Sequence, residues 1–389
     1  MSNIIIEREF SCTRDDMVIR GYEIRPNKVE LPVIIASHGF GGDLTGMIEY
    51  CREFASWGYA AYCFDFCGGC ANEQGKSDGQ TKDMTIFTEC DDLLAVMNYV
   101  KDLPYINQDR ITLMGCSQGG FVSALVAARR RDEIERLILL YPALCIPDDA
   151  RKGGLANASY DVNDVPELID CGSMIIGKVF HDTIVHVDPF LEISAYEGPV
   201  LILHGTKDDI VNYSYAVRAK EYFKANQCQL QLIRDAGHSF TEELTKSAMK
   251  SIHQFLFERK EVLTITVFVT GYEVRKEEEN SRTVAILFTG YCDNPLFHGV
   301  ILPGAEDVRV SENDVEVTVR ADYTLEGLDR LGQKCQVHIV NQCIEGEWKP
   351  TICTDSEALA FLNSADLTAV LEGFEGGLTV RIFGEIANL

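Results

Sequence analysis

The feature that most narrows the fold is a series of short, nearly all-apolar runs spaced by amphipathic stretches. VIIASHG (33–39), AAYCFDF (60–66), RITLMG (110–115), LILLYPA (137–143) and VLILHG (200–205) carry few polar residues, and QLQLIRDA (229–236) ends the series. Strands apolar on both faces belong to a parallel sheet covered by helices on both sides. Helical patterns such as TIFTECDDLLAVMNYVKDL and FVSALVAARRRDEIERL fill the intervals. IIIEREF and MVIRGYEIR read as an opening antiparallel pair, giving an eight-stranded, mostly parallel sheet. Right-handed crossovers then place a ligand site at the carboxyl ends of the parallel strands.

Two departures from this rhythm define the organisation. Between Cys145 and about Glu197 the chain spends far more residues than one crossover helix needs. An inserted cap or lid, about 145–197, is the expected use of so long a connection. Near residue 260 the period switches to two, in VLTITVFVTGYEV, VAILFTG, DVEVTVRADYTLEG, CQVHIVNQ and LTVRIFGEI, with one helix expected at SEALAFLNSADL. The expected division is an α/β unit over 1–260 and an antiparallel β-barrel or sandwich over 261–389, each of ordinary domain size.

Composition excludes several function classes. A formal net charge of -25 disfavours nucleic acid and anionic membrane as partners, and polyanionic substrates with them. MSNIIIEREF lacks a basic leader, and no run reaches the length of a membrane-spanning helix, so a cytoplasmic location is expected. The 14 scattered cysteines then read as reduced thiols. Cys63, Cys67 and Cys70 cluster in AYCFDFCGGC, but no second C-x-x-C or His pair nearby completes a zinc set. No metal and no cofactor are expected.

Catalytic chemistry concentrates at three points. Gly115-Cys116-Ser117-Gln118-Gly119 is a G-x-S-x-G between a strand and a helix, the setting in which serine becomes an exposed nucleophile on a tight turn. An oxyanion hole needs two N–H donors: Gln118 follows the serine, and Phe40 lies in His38-Gly39-Phe40-Gly41-Gly42 after the third strand. In the chain order Ser, Asp, His the base is His238, in DAGHSF after the last strand; His38 reads as structural and His253 as mid-helix. Asp208 and Asp209 compete for the third place, and the spacing H-G-x-x-D-x-x-V favours Asp208.

With these motifs in place, residues 1–260 resemble the α/β-hydrolase superfamily. More narrowly they resemble cinnamoyl or feruloyl esterases of gut and rumen bacteria, in HGFGGD, GKSDG, MTIFTECDDLLAVMNYVK, GCSQGG, LYPALCIPDDAR, HGTKDDIV and AGHSF. The resemblance implies a lid from Asp149 to His186 over an aromatic acyl pocket. Met174, Ile175, Ile176 and Phe180 are then expected either to line that pocket or to anchor the lid. The turn DFCGGCANEQGKSDG is longer and richer in thiols than the family's compact D-F-x-G-x-G-x-S-D-G, which bears on acyl specificity.

The expected activity is that of a serine carboxylesterase on small hydroxycinnamate-like esters. Other acyl hydrolysis on the same residues (peptidase, amidase or thioesterase) is the alternative, and a non-enzymatic binding protein is the competing class. The C-terminal β domain faintly resembles small β-barrel domains in RADYTLEGLDRLG and TDSEALAFLNSADL. It has three open roles: completing the substrate site, forming a homodimer, or binding a ligand of its own. His298 and His338 are isolated within it.

Overall fold

Apolar strands need partners on both edges and cover on both faces, and the N-terminal unit supplies both. The computed structural model describes residues 4–385 apart from 72–74, 225–226, 258, 279, 314 and 345. The strands β1 (Ile5–Arg14), β2 (Met17–Pro26), β3 (Leu31–Ser37), β4 (Ala60–Phe64), β5 (Ile106–Cys116) and β6 (Arg136–Leu140) come first. After the short hairpins β7 (Gly154–Leu155) with β8 (Ala158–Ser159) and β9 (Leu168–Asp170) with β10 (Ile175–Gly177), β11 (Val200–Gly205) and β12 (Cys228–Ile233) resume the sheet.

The sheet order is β1-β2-β4-β3-β5-β6-β11-β12. All pairings from β4 to β12 are parallel, while β1, β2 and β4 pair antiparallel. This is the α/β-hydrolase fold. Asp15, at φ 51°, turns the opening hairpin, in which Arg14 faces Met17. Strand β12 stops at Ile233, short of the sequence expectation, because Asp235 at φ 62° turns the chain away from the ladder.

Helices α1 (Thr45–Ser56), α2 (Ile86–Lys101) and α3 (Gln118–Arg129) cover the sheet with α7 (Ser214–Tyr222) and α8 (Glu242–Leu256). Helix α2 starts with a reciprocal capping box, Thr85 with Thr88. Helix α3 is buried along almost its whole length, Phe121, Val122 and Leu125 joining Ile35, Leu113 and Leu139 of the sheet in one core. The insertion between β6 and β11 holds the two hairpins and the short helices α4 (Ile146–Arg151), α5 (Lys178–Ile184) and α6 (Pro189–Ile193). No described helix is long and apolar enough to cross a membrane.

The chain divides into two compact units, Met1–Phe255 and Leu256–Leu389. In the second, β13 (Arg259–Glu278), β14 (Ser281–Asn294), β15 (Phe297–Ile301), β16 (Glu306–Glu312), β17 (Val315–Asp329), β18 (Lys334–Ile344), β19 (Glu347–Thr354), β20 (Leu367–Phe374) and β21 (Gly377–Glu385) are all antiparallel. The β13–β14 pairing closes the sheet into a barrel. Strand β13 starts two residues before the expected boundary, because Arg259 already pairs with residue 385.

The helix expected at SEALAFLNSADL is only a 3₁₀ segment, Glu357–Asn363. Its buried Leu359 and Leu362 stand three residues apart, the repeat at which 3₁₀ side chains eclipse. Asn363 ends it by accepting the Thr354 N–H at 2.8 Å. Leu359→Ala is expected to cost the barrel roughly 2–5 kcal/mol, as buried Leu truncations do. Urea unfolding of the full chain checks this in a Trp57→Phe background, where Trp348 alone reports; an unchanged midpoint would contradict the packing role.

Candidate active site

The carboxyl ends of β3, β5, β11 and β12 converge on one cavity of about 880 Å³. Ser117 stands between β5 and α3 with φ 52° and ψ -118°, a backbone state that non-glycine residues avoid unless the surroundings enforce it. The enforcement is local. Its N–H donates to the Leu140 carbonyl of β6 at 2.9 Å, and its carbonyl accepts from Gly120 and Ala143. A Cβ on Gly115 would stand 2.1 Å from the Gly119 carbonyl oxygen, and one on Gly119 would stand 2.2 Å from the His38 oxygen. The two flanking glycines therefore let strand, helix and the β3 loop pack closely enough to hold the turn.

His238, in the loop between β12 and α8, links the three polar groups. Its Nε2 lies 2.9 Å from Ser117 Oγ and its Nδ1 lies 2.8 Å from Asp208 Oδ2. The opposite flank of the imidazole meets the Tyr141 ring at 4.8 Å, and Phe240 packs on that tyrosine at 5.0 Å. Asp208 follows β11 with a fully buried carboxylate, whereas Asp209 is exposed. Burial alone would raise the Asp208 pKa. Hydrogen bonds from His204, His238 and the Val211 N–H overcome it and hold the carboxyl well below its ordinary value. The carboxylate thus stays ionised throughout the neutral range.

Gln118 is the first residue of α3, where a backbone N–H has no intrahelical acceptor. Its carboxamide turns into the core and donates to buried Glu89 Oε2 at 2.8 Å. Phe40 lies in the β3–α1 loop, which runs beside the serine: a Cβ on Gly39 would stand 3.1 Å from Ser117 Cβ. Both Phe40 and Gln118 border the cavity.

His38 does not join the relay. It is buried, with Nδ1 2.8 Å from the Gly39 carbonyl and Nε2 accepting the Phe66 N–H at 3.2 Å. Burial lowers its pKa. His38, Asp65 and Cys70 bring potential metal-ligand atoms within 4.8 Å of one another. Yet the only lone pair on Nε2 is engaged, Asp65 accepts the Leu44 and Lys76 N–H groups at 2.7 Å, and burial pushes the Cys70 thiol up. These bonds clamp the Phe40 loop to the chain after β4, where Gly41 bridges Cys70. All 14 cysteines are free thiols. Cys67 is pushed up to about 12, mainly by burial. Asn72, Glu73 and Gln74 of the thiol-rich turn lie outside the described residues.

Of the four lid residues, Ile176 and Phe180 line the cavity. Met174 is buried in the main core, and Ile175 is 49% exposed, on the opposite face of β10 from Ile176. Ile175 is therefore not a pocket residue. Sequence reasoning missed Tyr50, Tyr141, Leu155, Asn157 and Phe240, which also line it. Tyr141 carried a signal, since it directly follows β6 at the sheet's carboxyl edge. The charged side chains of the lining are Asp43, Asp149 and Asp209, and neither lysine nor arginine is among them.

Burial raises the Glu89 pKa well above its ordinary value, against the Gln118 hydrogen bond, which lowers it. Folding therefore takes up a proton between that ordinary value and the raised one, so this contribution to stability declines as pH rises through the window. Glu89→Gln is expected to flatten the decline. Urea midpoints at about pH 5 and pH 8, read from Trp57 in a Trp348→Phe background, should differ less with Glu89→Gln than without it. Equal differences would show that Glu89 is not protonated in the native state.

Comparisons with known proteins bear on the fold of the N-terminal unit. The family model described as serine aminopeptidase, S33, matches residues 30–163. Est1E from Butyrivibrio proteoclasticus, in a structure with ferulic acid bound, is 29% identical with a TM-score of 0.58, over 63% of this chain and 97% of that one. A second Est1E structure gives 27% identity and a TM-score of 0.55, with the same coverage of both chains. The quorum-quenching protein AidA of Acinetobacter baumannii (strain MDR-ZJ06) is 29% identical over 109 residues, 27% of this chain. An uncharacterized 31.7 kDa protein of Escherichia coli, from the traX-finO intergenic region, is 27% identical over 119 residues, 30% of this chain. The matched stretch spans only 34% and 39% of these two curated relatives. The N-terminal unit is thus an α/β-hydrolase unit similar in sequence and structure to Est1E, followed in the same chain by a closed antiparallel β-barrel.

Proposed function

We propose that the chain is a serine carboxylesterase for small acyl esters, with hydroxycinnamate (feruloyl or cinnamoyl) esters as its preferred class. One observation carries the reading: Ser117 Oγ, His238 and Asp208 form an unbroken hydrogen-bonded relay whose serine and histidine line a cavity. His238 Nε2 takes the Ser117 proton as Oγ attacks the acyl carbon. The backbone N–H groups of Phe40 and Gln118 receive the developing oxyanion. His238 then returns the proton to the leaving alcohol, and a water activated by the same imidazole releases the acid from the acyl-enzyme. Asp208 orients His238 and balances its positive charge without being protonated itself.

The acyl preference is supported by the similarity to Est1E, which binds ferulic acid, and by the aromatic and aliphatic walls supplied by Phe40, Leu155, Ile176 and Phe180. A neutral ester also suits a lining whose charges are all acidic. A second reading, hydrolysis of amides on the same relay, is favoured by the serine aminopeptidase match over residues 30–163.

Hydrolysis of methyl ferulate, a short-chain nitrophenyl ester and a matched anilide, compared between wild type and Ser117→Ala, tests the assignment. Ser117→Ala is expected to lower ester turnover by several orders of magnitude with the circular dichroism spectrum unchanged. Turnover of the nitrophenyl ester alone would keep the mechanism and remove the hydroxycinnamate preference. Activity retained in a folded Ser117→Ala protein would refute both. Asp208→Asn, which presents the wrong tautomer partner to His238, should cost about 10⁴-fold in kcat, whereas Asp209→Asn should leave kcat unchanged.

A further inference from the structure

The turn that carries Asp208 contains a second buried histidine for which the mechanism above has no use. His204 lies on β11, with its side chain wholly out of solvent. Its Nε2 is 2.9 Å from the Val211 carbonyl and 3.1 Å from Asp208 Oδ2. Both neighbours are acceptors, so Nε2 carries the proton and donates to both. Nδ1 has no hydrogen-bond partner among the described residues. A buried imidazole with one nitrogen left unsatisfied is a costly way to fill core volume unless its other nitrogen is put to use. Its retention calls for a task done by Nε2.

The surroundings of Asp208 define that task. Oδ1 accepts the N–H groups of Ile210 at 3.0 Å and Val211 at 2.8 Å, while Oδ2 accepts Nδ1–H of His238 and Nε2–H of His204. Four donors fill the roughly four lone-pair sites of an ionised carboxylate. Val211 closes the circuit, since it gives its N–H to Asp208 and takes the His204 proton on its carbonyl. We propose that His204 is a positioning residue: as an N–H donor to Asp208 Oδ2 it locks the carboxylate in the one rotation that faces His238. The proposal rests on the catalytic reading of Ser117, His238 and Asp208.

His204→Phe keeps a ring of similar volume and removes the donor, whereas His204→Gln offers an amide N–H close to the place of Nε2–H. The expected result is a fall in kcat by roughly 10- to 100-fold in the Phe variant, the scale on which small misplacements of catalytic groups act. KM should stay unchanged, and the Gln variant should recover most of the loss. The downfield proton resonance of the His238–Asp208 bond should shift or broaden in the Phe variant and return in the Gln variant. Should His204→Phe not fold, His204→Asn, whose amide is one methylene too short, provides the same contrast. Wild-type kcat in a folded Phe or Asn variant would overturn the proposal. So would equal losses in the donor and non-donor variants with an unmoved His238 resonance. The resonance is also recorded in Ser117→Ala protein, without need of turnover. If that protein remained active, the catalytic reading would fall, and the resonance alone would then decide whether His204 holds Asp208.

Discussion

The junction of β5 and α3 carries the rest of the site. A serine held at positive φ is a local loss that relaxes unless neighbouring chain prevents it, and here three segments do so together. The end of β6 takes the Ser117 N–H, the residues after β6 return a hydrogen bond to its carbonyl, and the β3 loop presses on Gly119. Each of these segments is fixed by the parallel sheet, whose inner strands are buried on both faces. The strain at one residue is thus sustained by the hydrophobic burial of many. The same packing brings the start of α3 beside the β3 loop, so Gln118 and Phe40 border one cavity.

Opposite that junction stands a polar counterpart built on different physics. Asp208 lies in a region that would raise the pKa of an unassisted carboxyl, and hydrogen-bond donors from strand, turn and loop reverse the effect. The serine side of the relay relies on excluded volume, the aspartate side on saturation of lone pairs. His238 sits between them, against the Tyr141 ring that Phe240 backs, rather than in a ladder hydrogen bond.

Much of this was legible in the residue order, and the misses share a cause. Features set by local pattern were readable: the parallel strands from their apolar runs, the elbow from G-x-S-x-G, and the choice of Asp208 over Asp209 from its distance to the glycine that ends β11. Features set by register or by contacts distant in sequence were not. Ile175 and Ile176 are identical residues one position apart, and only the pleat of β10 decides which faces the cavity. The end of β12 depended on a positive φ at an aspartate, which sequence marks weakly. In the second unit, SEALAFLNSADL has helical composition, but its two buried leucines are satisfied by two turns of 3₁₀ helix. His204 belongs to a strand whose remaining residues are ordinary core, and only three-dimensional neighbours distinguish it.

Under the proposed ester hydrolysis, the acidic lining of the cavity has a consequence for turnover. Ester hydrolysis begins with a neutral molecule and ends with a carboxylate, so the charge of the bound species changes during the reaction. Asp43, Asp149 and Asp209 leave a neutral ester untouched but repel the acid formed from it, and no lysine or arginine among the lining residues offers that acid an anchor. On the proposed reading, that lining favours release of the carboxylate product.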